Sequence, residues 1–152
     1  MSAPRRRRPR FQGYGVPADP DGMLEWAWAD ERLTRARNYW VATAGPHATP
    51  VWGLWQDGGL LFSCGARSRK ARALAADPRI VVHLESGDEV VIVEGVAEPT
   101  SATESDVEAY EAKYAYRPSA GEGWYRVVPT RTLAWRETDY PRSATRFDFE
   151  DR

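Results

Sequence analysis

Residues 40–98 read WVATAGPHATPVWGLWQDGGLLFSCGARSRKARALAADPRIVVHLESGDEVVIVEGVAE. The hydrophobic period changes inside this stretch, and the fold class follows from where it changes. Residues 38–44 (NYWVATA) are short and β-prone, Gly45-Pro46 is a turn, and residues 49–56 (TPVWGLWQ) read as a second strand. Asp57-Gly58-Gly59 is a hairpin signal, because glycine tolerates the positive φ of such turns. Residues 60–64 are a third strand. At Ser68 the period becomes helical: Ser68 is a suitable N-cap, Ala71 and Leu74 lie three apart, and Asp77-Pro78 ends the helix. Residues 79–84 return to alternation, with Ile80, Val82 and Leu84 on one face and His83 facing away. After a turn at Ser86-Gly87-Asp88, residues 89–98 (EVVIVEGVAE) are apolar on both faces at their centre, as a buried barrel strand would be.

Working outward, Asp21 is positioned to cap a helix over residues 22–37, with Leu24, Trp26, Trp28 and Leu33 on its apolar face. Ser101 and Glu104 have capping-box spacing and introduce a helix ending near Tyr116, before Pro118. Residues 124–128 and 130–136 are the last strands, followed by a tail carrying Tyr140, Phe147 and Phe149. The expectation is a mainly β (α+β) domain of six to seven mostly antiparallel strands, closed or split as a barrel, with short flanking helices. Residues 1–20 read as a flexible basic arm and residues 21–152 as the single folded domain.

The composition excludes several classes. A net charge of −1 argues against a molecule-wide polyanion binder, although Arg5 to Arg8 and Arg10 crowd the N-terminus. Such a run reads first as a solvated tail, with contact to nucleic acid or an acidic surface as the minor alternative. The single Cys64 cannot form an intramolecular disulfide, and no Cys/His cluster offers a metal site. No signal-like or membrane-spanning segment is visible, so a cytoplasmic location is expected. Seven tryptophans in 152 residues supply core and could also line a pocket for a planar ligand. Trp40, Trp52, Trp55 and Trp135 are the candidates.

Chemistry concentrates at Arg67-Ser68-Arg69-Lys70. A helix N-terminus presents unpaired N–H groups and positive dipole, and a hydroxyl, guanidinium and ammonium placed there suit a phosphate. Lys70 stands out because the chain has two lysines against nineteen arginines. The plain alternative is an exposed basic first turn, which the helix dipole disfavours unless an anion answers it. Dinucleotide, P-loop and nucleophile-elbow motifs are absent. His47 could touch a ligand or serve the turn beside Pro46; His83 reads as structural. Cys64 reads as a small buried thiol, and Glu94 as a paired structural carboxylate.

Three motifs in order, P-x-x-x-P-V-W at residues 46–52, SRKARALAADPR at 68–79 and V-x-V-E-G at 91–95, resemble the pyridoxamine 5'-phosphate oxidase-like superfamily. They are most similar to the actinobacterial flavin/deazaflavin oxidoreductases, and residues 135–149 (WRETDYPRSATRFDF) also resemble C-terminal segments there. The resemblance implies a split-barrel homodimer with FMN or coenzyme F420 at the subunit interface and no membrane contact. It places Arg69 and Lys70 on the cofactor phosphate; Thr49, Pro50, Val51 and Trp52 beside the ring; and Phe62 and Ser63 as a further contacting pair. It implies an oxidoreductase moving a hydride between F420 (or FMN) and an unsaturated small molecule. The alternative is a non-catalytic F420, FMN or haem carrier. The basic-ended R-x-V-L-L-K strand of the true oxidases is replaced by residues 49–54, and an expected glutamine aligns with Val90. Vitamin B6 oxidation is therefore not expected. No catalytic side chain is assigned; substrate protonation falls to solvent or to a residue such as Tyr140.

Overall fold

A computed structural model describes residues 3–121 and 123–150. Residues 1, 2, 151 and 152, which belong to the expected arm and tail, lie outside the described residues. The strands are β1 (Arg5–Arg7), β2 (Tyr39–Thr43), β3 (His47–Val51), β4 (Leu54–Gln56), β5 (Gly59–Ser63), β6 (Arg79–His83), β7 (Glu89–Thr100), β8 (Trp124–Arg136) and β9 (Thr145–Asp148). The helices are α1 (Trp26–Arg35), α2 (Arg69–Ala76) and α3 (Glu104–Tyr114), with a 3-10 turn at Glu137–Asp139.

All strand pairs are antiparallel, and six of them close a ring. β2 pairs β3, and β3 runs into β4 across Trp52-Gly53. β4 pairs β5, β5 pairs the first half of β8, and β8 returns through β7 and β6 to β2. The expected mainly β, mostly antiparallel split barrel is what the chain forms. Alternating residues fill the barrel: Tyr39 and Val41 from β2, Leu60 and Phe62 from β5, Val82 from β6, Val91 and Val93 from β7, and Val127 from β8 all join one core. α3 covers the outside near β4 and β5, where Val107, Tyr110 and Tyr114 pack on Leu54, Leu61 and Trp124.

Several boundaries differ from the sequence expectation for physical reasons. The strand expected over residues 49–56 is two strands, because the chain kinks at Trp52-Gly53. The two strands expected within residues 124–136 are one. β8 absorbs the irregularity as a bulge at Thr130, which is skipped between the pairs Glu94–Arg131 and Gly95–Pro129; Pro129 has no N–H for the ladder. α1 starts at Trp26 without a side-chain cap. Asp21 contacts Arg142 instead, and the Leu24 N–H donates to Thr145 Oγ1 at 2.8 Å, holding that segment against β9. The capping box of α3 is Thr103/Asp106, and Asp106 also accepts from Gln56 Nε2 at 2.7 Å.

The expected flexible arm is also corrected. Arg5–Arg7 form β1 on β9, and Arg8 donates to the carbonyls of Asp19, Asp21, Arg142 and Ala144. Guanidinium groups can satisfy several carbonyls at once, so an arginine run can cap loops as well as solvate a tail. β1, β9 and the β3/β4 break account for nine strands where six or seven were expected. Among the described residues, no helix is long and apolar enough to cross a membrane.

Candidate functional site

The start of α2, the β3–β4 break, the end of β5 and one face of α3 converge on an open cleft of about 480 Å³. The period switch at residue 68 places α2 there. Ser68 Oγ accepts from the Ala71 N–H at 3.1 Å, the cap bond read from the sequence. Lys70, on the first turn, reaches across and donates from Nζ to Thr49 Oγ1 at 3.0 Å. That bond ties the helix start to β3.

Of the ten residues expected at the site, Pro50, Val51, Trp52, Ser63, Ser68 and Lys70 line the cleft. Thr49 adjoins it through Lys70. Arg67 and Arg69 are exposed and outside the lining. The Phe62 side chain is fully buried in the barrel, stacked with Tyr125 at 5.8 Å, so only its backbone is on the site's side of the strand. Strand alternation explains the difference from Ser63: neighbours on a strand point to opposite faces.

Four lining residues went unassigned in the sequence reading: Asn38, Cys64, Gly65 and Tyr110. Cys64 is half-buried at the cleft rather than a core thiol. Cys64 lies just past the end of β5, where strand alternation no longer fixes its direction. Tyr110 arrives from α3, 40 residues beyond α2's first turn by the numbering, and no local pattern announces it. Tyr140 packs against Trp135 at 5.8 Å and does not line the cleft. Of the four candidate tryptophans only Trp52 lines it; Trp55 is in the barrel core and Trp40 stacks on His83. Glu94 lies instead along a separate groove of about 530 Å³, with Arg79, Val81 and Val96, that contains none of the expected site residues.

The electrostatics are one-sided. α2 carries no acidic residue in its first turn. Among the described residues no carboxylate pairs with Arg67, Arg69, Lys70 or Arg72. Their field reaches His47, whose pKa is held below its ordinary value by desolvation, then by Arg69 and Lys70.

The opposite wall is fixed by α3. At the kink, Gly53 has no ladder partner, and side chains replace it. Lys113 Nζ donates to Gly53 O at 2.9 Å and to Tyr39 Oη at 3.0 Å. Tyr114 Oη accepts from the Gly53 N–H at 3.0 Å and donates to Arg37 O at 2.6 Å. Trp52 then stacks on Tyr114 with centroids 4.6 Å apart and planes 7° apart. Trp52 is 37% exposed and lines the cleft. Burial pushes the Lys113 ammonium down to about 8, with Arg37 adding to the shift. Among the described residues no cluster of three His, Cys, Asp or Glu is placed to hold a metal ion.

An antiparallel split barrel with unanswered cations at one side of a flat-walled cleft defines a fold class. The family model described as pyridoxamine 5'-phosphate oxidase matches residues 28–136, and the chain belongs to that family. A conserved hypothetical protein, Rv2991, of Mycobacterium tuberculosis is 26% identical, with a TM-score of 0.65 over 76% of this chain and 87% of that one. A structure titled F420 reductase is 19% identical, with a TM-score of 0.56 over 68% of this chain and 94% of that one. An FAD-binding protein of Mesorhizobium loti is 18% identical, with a TM-score of 0.58 over 84% and 96%. The last two likenesses are of fold. No curated protein matches the chain.

Proposed function

We propose that this chain is an oxidoreductase that uses coenzyme F420 or FMN to move a hydride to or from an unsaturated small molecule. The observation that carries the reading is the cluster at α2: Lys70 bonded to Thr49 and, among the described residues, no carboxylate answering the cations around it. An anion is the missing partner. The donor set fits a phosphate, and the cleft volume is that of an ordinary cofactor site. Trp52 and the Pro50–Val51 backbone offer the flat wall that a tricyclic ring needs.

When bound, the cofactor supplies the hydride chemistry, which explains why no acid/base triad is required of the protein. Lys70 and the Ser68 hydroxyl hold the anion. The α3 clamp orients Trp52 and keeps the wall from collapsing into the cleft. F420 is favoured over FMN because residues 49–54 lack the two charges of the true oxidases' strand. The same absence argues against vitamin B6 oxidation. The reading includes a cytoplasmic homodimer whose subunits complete each other's cleft. Support for the dimer comes from the half-buried apolar side chains on the outer faces of β2, β6 and β7: Ala42, Val81, Ile92 and Val96.

The test is titration of the full chain with reduced F420 and, separately, with FMN, followed by a panel of enones, quinones and tetrapyrroles. Binding tighter than ~100 µM supports the cofactor site, and cofactor oxidation supports the enzyme. Tight binding without turnover on any acceptor indicates a carrier. Failure of both cofactors to bind removes the proposal. Lys70→Ala should weaken binding by about tenfold or more, the scale of a charge-assisted contact, with an unchanged circular dichroism spectrum. Sedimentation at micromolar concentration checks the dimer.

A further inference from the structure

Tyr110 is a cleft residue from α3 whose hydroxyl makes no hydrogen bond with the described residues. It lies on the buried face of α3 and is 6% exposed. Its ring is covered by Tyr114 at 4.9 Å and by Trp124 at 5.7 Å, edge-on. Two other buried tyrosines, one of them its neighbour Tyr114, use their hydroxyls within the protein. Tyr39 Oη donates to Leu33 O at 2.6 Å, and Tyr114 Oη bridges Gly53 and Arg37. The Tyr110 hydroxyl bonds to none of the described residues, although the residue lines the cleft. The ring is buried but the hydroxyl itself is not sealed off, so it is open to a partner supplied from the cleft. Burial, reinforced by Tyr114 and Tyr116, pushes this phenol up to about 12. It therefore stays protonated at neutral pH and can donate.

The placement adds direction. Tyr114 touches both Trp52 and Tyr110, so the Tyr110 ring lies one ring away from Trp52, and both line the cleft. Lys70 lines the same cleft from α2 and answers an anion. We propose that Tyr110 is a ligand-binding residue whose hydroxyl donates a hydrogen bond to an acceptor, a carbonyl oxygen or ring nitrogen, on the planar heterocycle held in this cleft. This rests on the reading of the cleft as a flavin or deazaflavin site. It assigns α3 a ligand contact beyond its structural clamp. It also gives the site a means of selecting heterocycles with an acceptor at that edge, because a ligand lacking one would leave the hydroxyl unpaired.

The experiment compares full-length wild type, Tyr110→Phe, Tyr114→Phe and Lys70→Ala by FMN and F420 titration and by melting of the cofactor-free protein. Tyr110→Phe should raise Kd about three- to tenfold, the range of one net hydrogen bond. It should leave the melting temperature unchanged or slightly higher, because the hydroxyl has no partner to lose. Tyr114→Phe should lower the melting temperature, because its hydroxyl holds the kink. If wild type and Tyr110→Phe bind equally while Lys70→Ala binds weakly, the cofactor reading stands and the role of Tyr110 falls. If wild type binds neither cofactor, both fall. A loss of melting temperature in Tyr110→Phe that matches Tyr114→Phe, with unchanged affinity, would make Tyr110 purely structural.

Discussion

Lys113 shows how one side chain can serve a site it does not line. Its ammonium is half-buried between Tyr39 Oη and Gly53 O, and it stands in for the ladder that β3 and β4 lose at the kink. Its pKa is lowered from 10.5 to about 8 by burial and then by Arg37. In the unfolded chain the amine keeps its proton to higher pH. Between pH 8 and 10 the unfolded state therefore binds more protons, and this group's contribution to stability rises with pH. Urea unfolding at pH 7.5 and 9.5 should show the gap between wild type and Lys113→Met widening at the higher pH. At pH 7.5 the variant should already be about 1–3 kcal/mol less stable, because Gly53 O is left without its donor. Ser68 is a simpler case. Its cap bond to the Ala71 N–H was legible from residue type and position, and Ser68→Ala should cost about 1 kcal/mol in thermal or chemical unfolding.

At the scale of elements, the most consequential feature is the break between β3 and β4. Residues 49–56 are rich in β-formers (Thr49, Val51, Trp52, Trp55) and read as one strand despite Pro50 and Gly53. The break is imposed from outside, by Lys113 and Tyr114 on α3 and by the closeness of β5. A Cβ on Gly53 would lie 2.8 Å from Leu60 Cδ1 and 2.9 Å from Leu61 O. Gly53→Ala should therefore destabilise the protein by about 1–3 kcal/mol through overpacking. It should also weaken cofactor binding, since it displaces the segment that carries Trp52. Both effects are read from one urea titration and one cofactor titration. The capping box of α3 has the same lesson. Ser101 and Glu104 have the right spacing, but so do Thr103 and Asp106 two residues later. Gln56 decides between them by bonding Asp106, a contact between residues 50 positions apart. Elements set by a local period, such as α2 and the β6–β7 hairpin, were readable to within a residue or two.

Across the whole molecule, the N-terminal arginines are the clearest case of tertiary context overruling composition. Five arginines in ten residues read as a solvated arm. In the fold, β1 extends the sheet past β9, Pro9 is buried, and Arg8 collects four loop carbonyls. Deleting residues 1–10 should lower the melting temperature by several degrees, because the edge of β9 and those carbonyls are exposed together. Cofactor affinity should be unchanged, since none of these residues lines the cleft. The sequence by itself determined the strand-to-helix switch at Ser68, the antiparallel succession of hairpins and the cationic first turn with Lys70. Each depends on residues within a few positions of one another, where period and capping chemistry act directly. Only the tertiary structure decided that the barrel closes through a kinked strand, that Phe62 turns inward while Cys64 joins the cleft, and that α3 delivers Tyr110 to the cleft and Lys113 to the kink behind it. Those outcomes depend on packing between segments tens of residues apart, and no local pattern of side chains encodes which surfaces will meet.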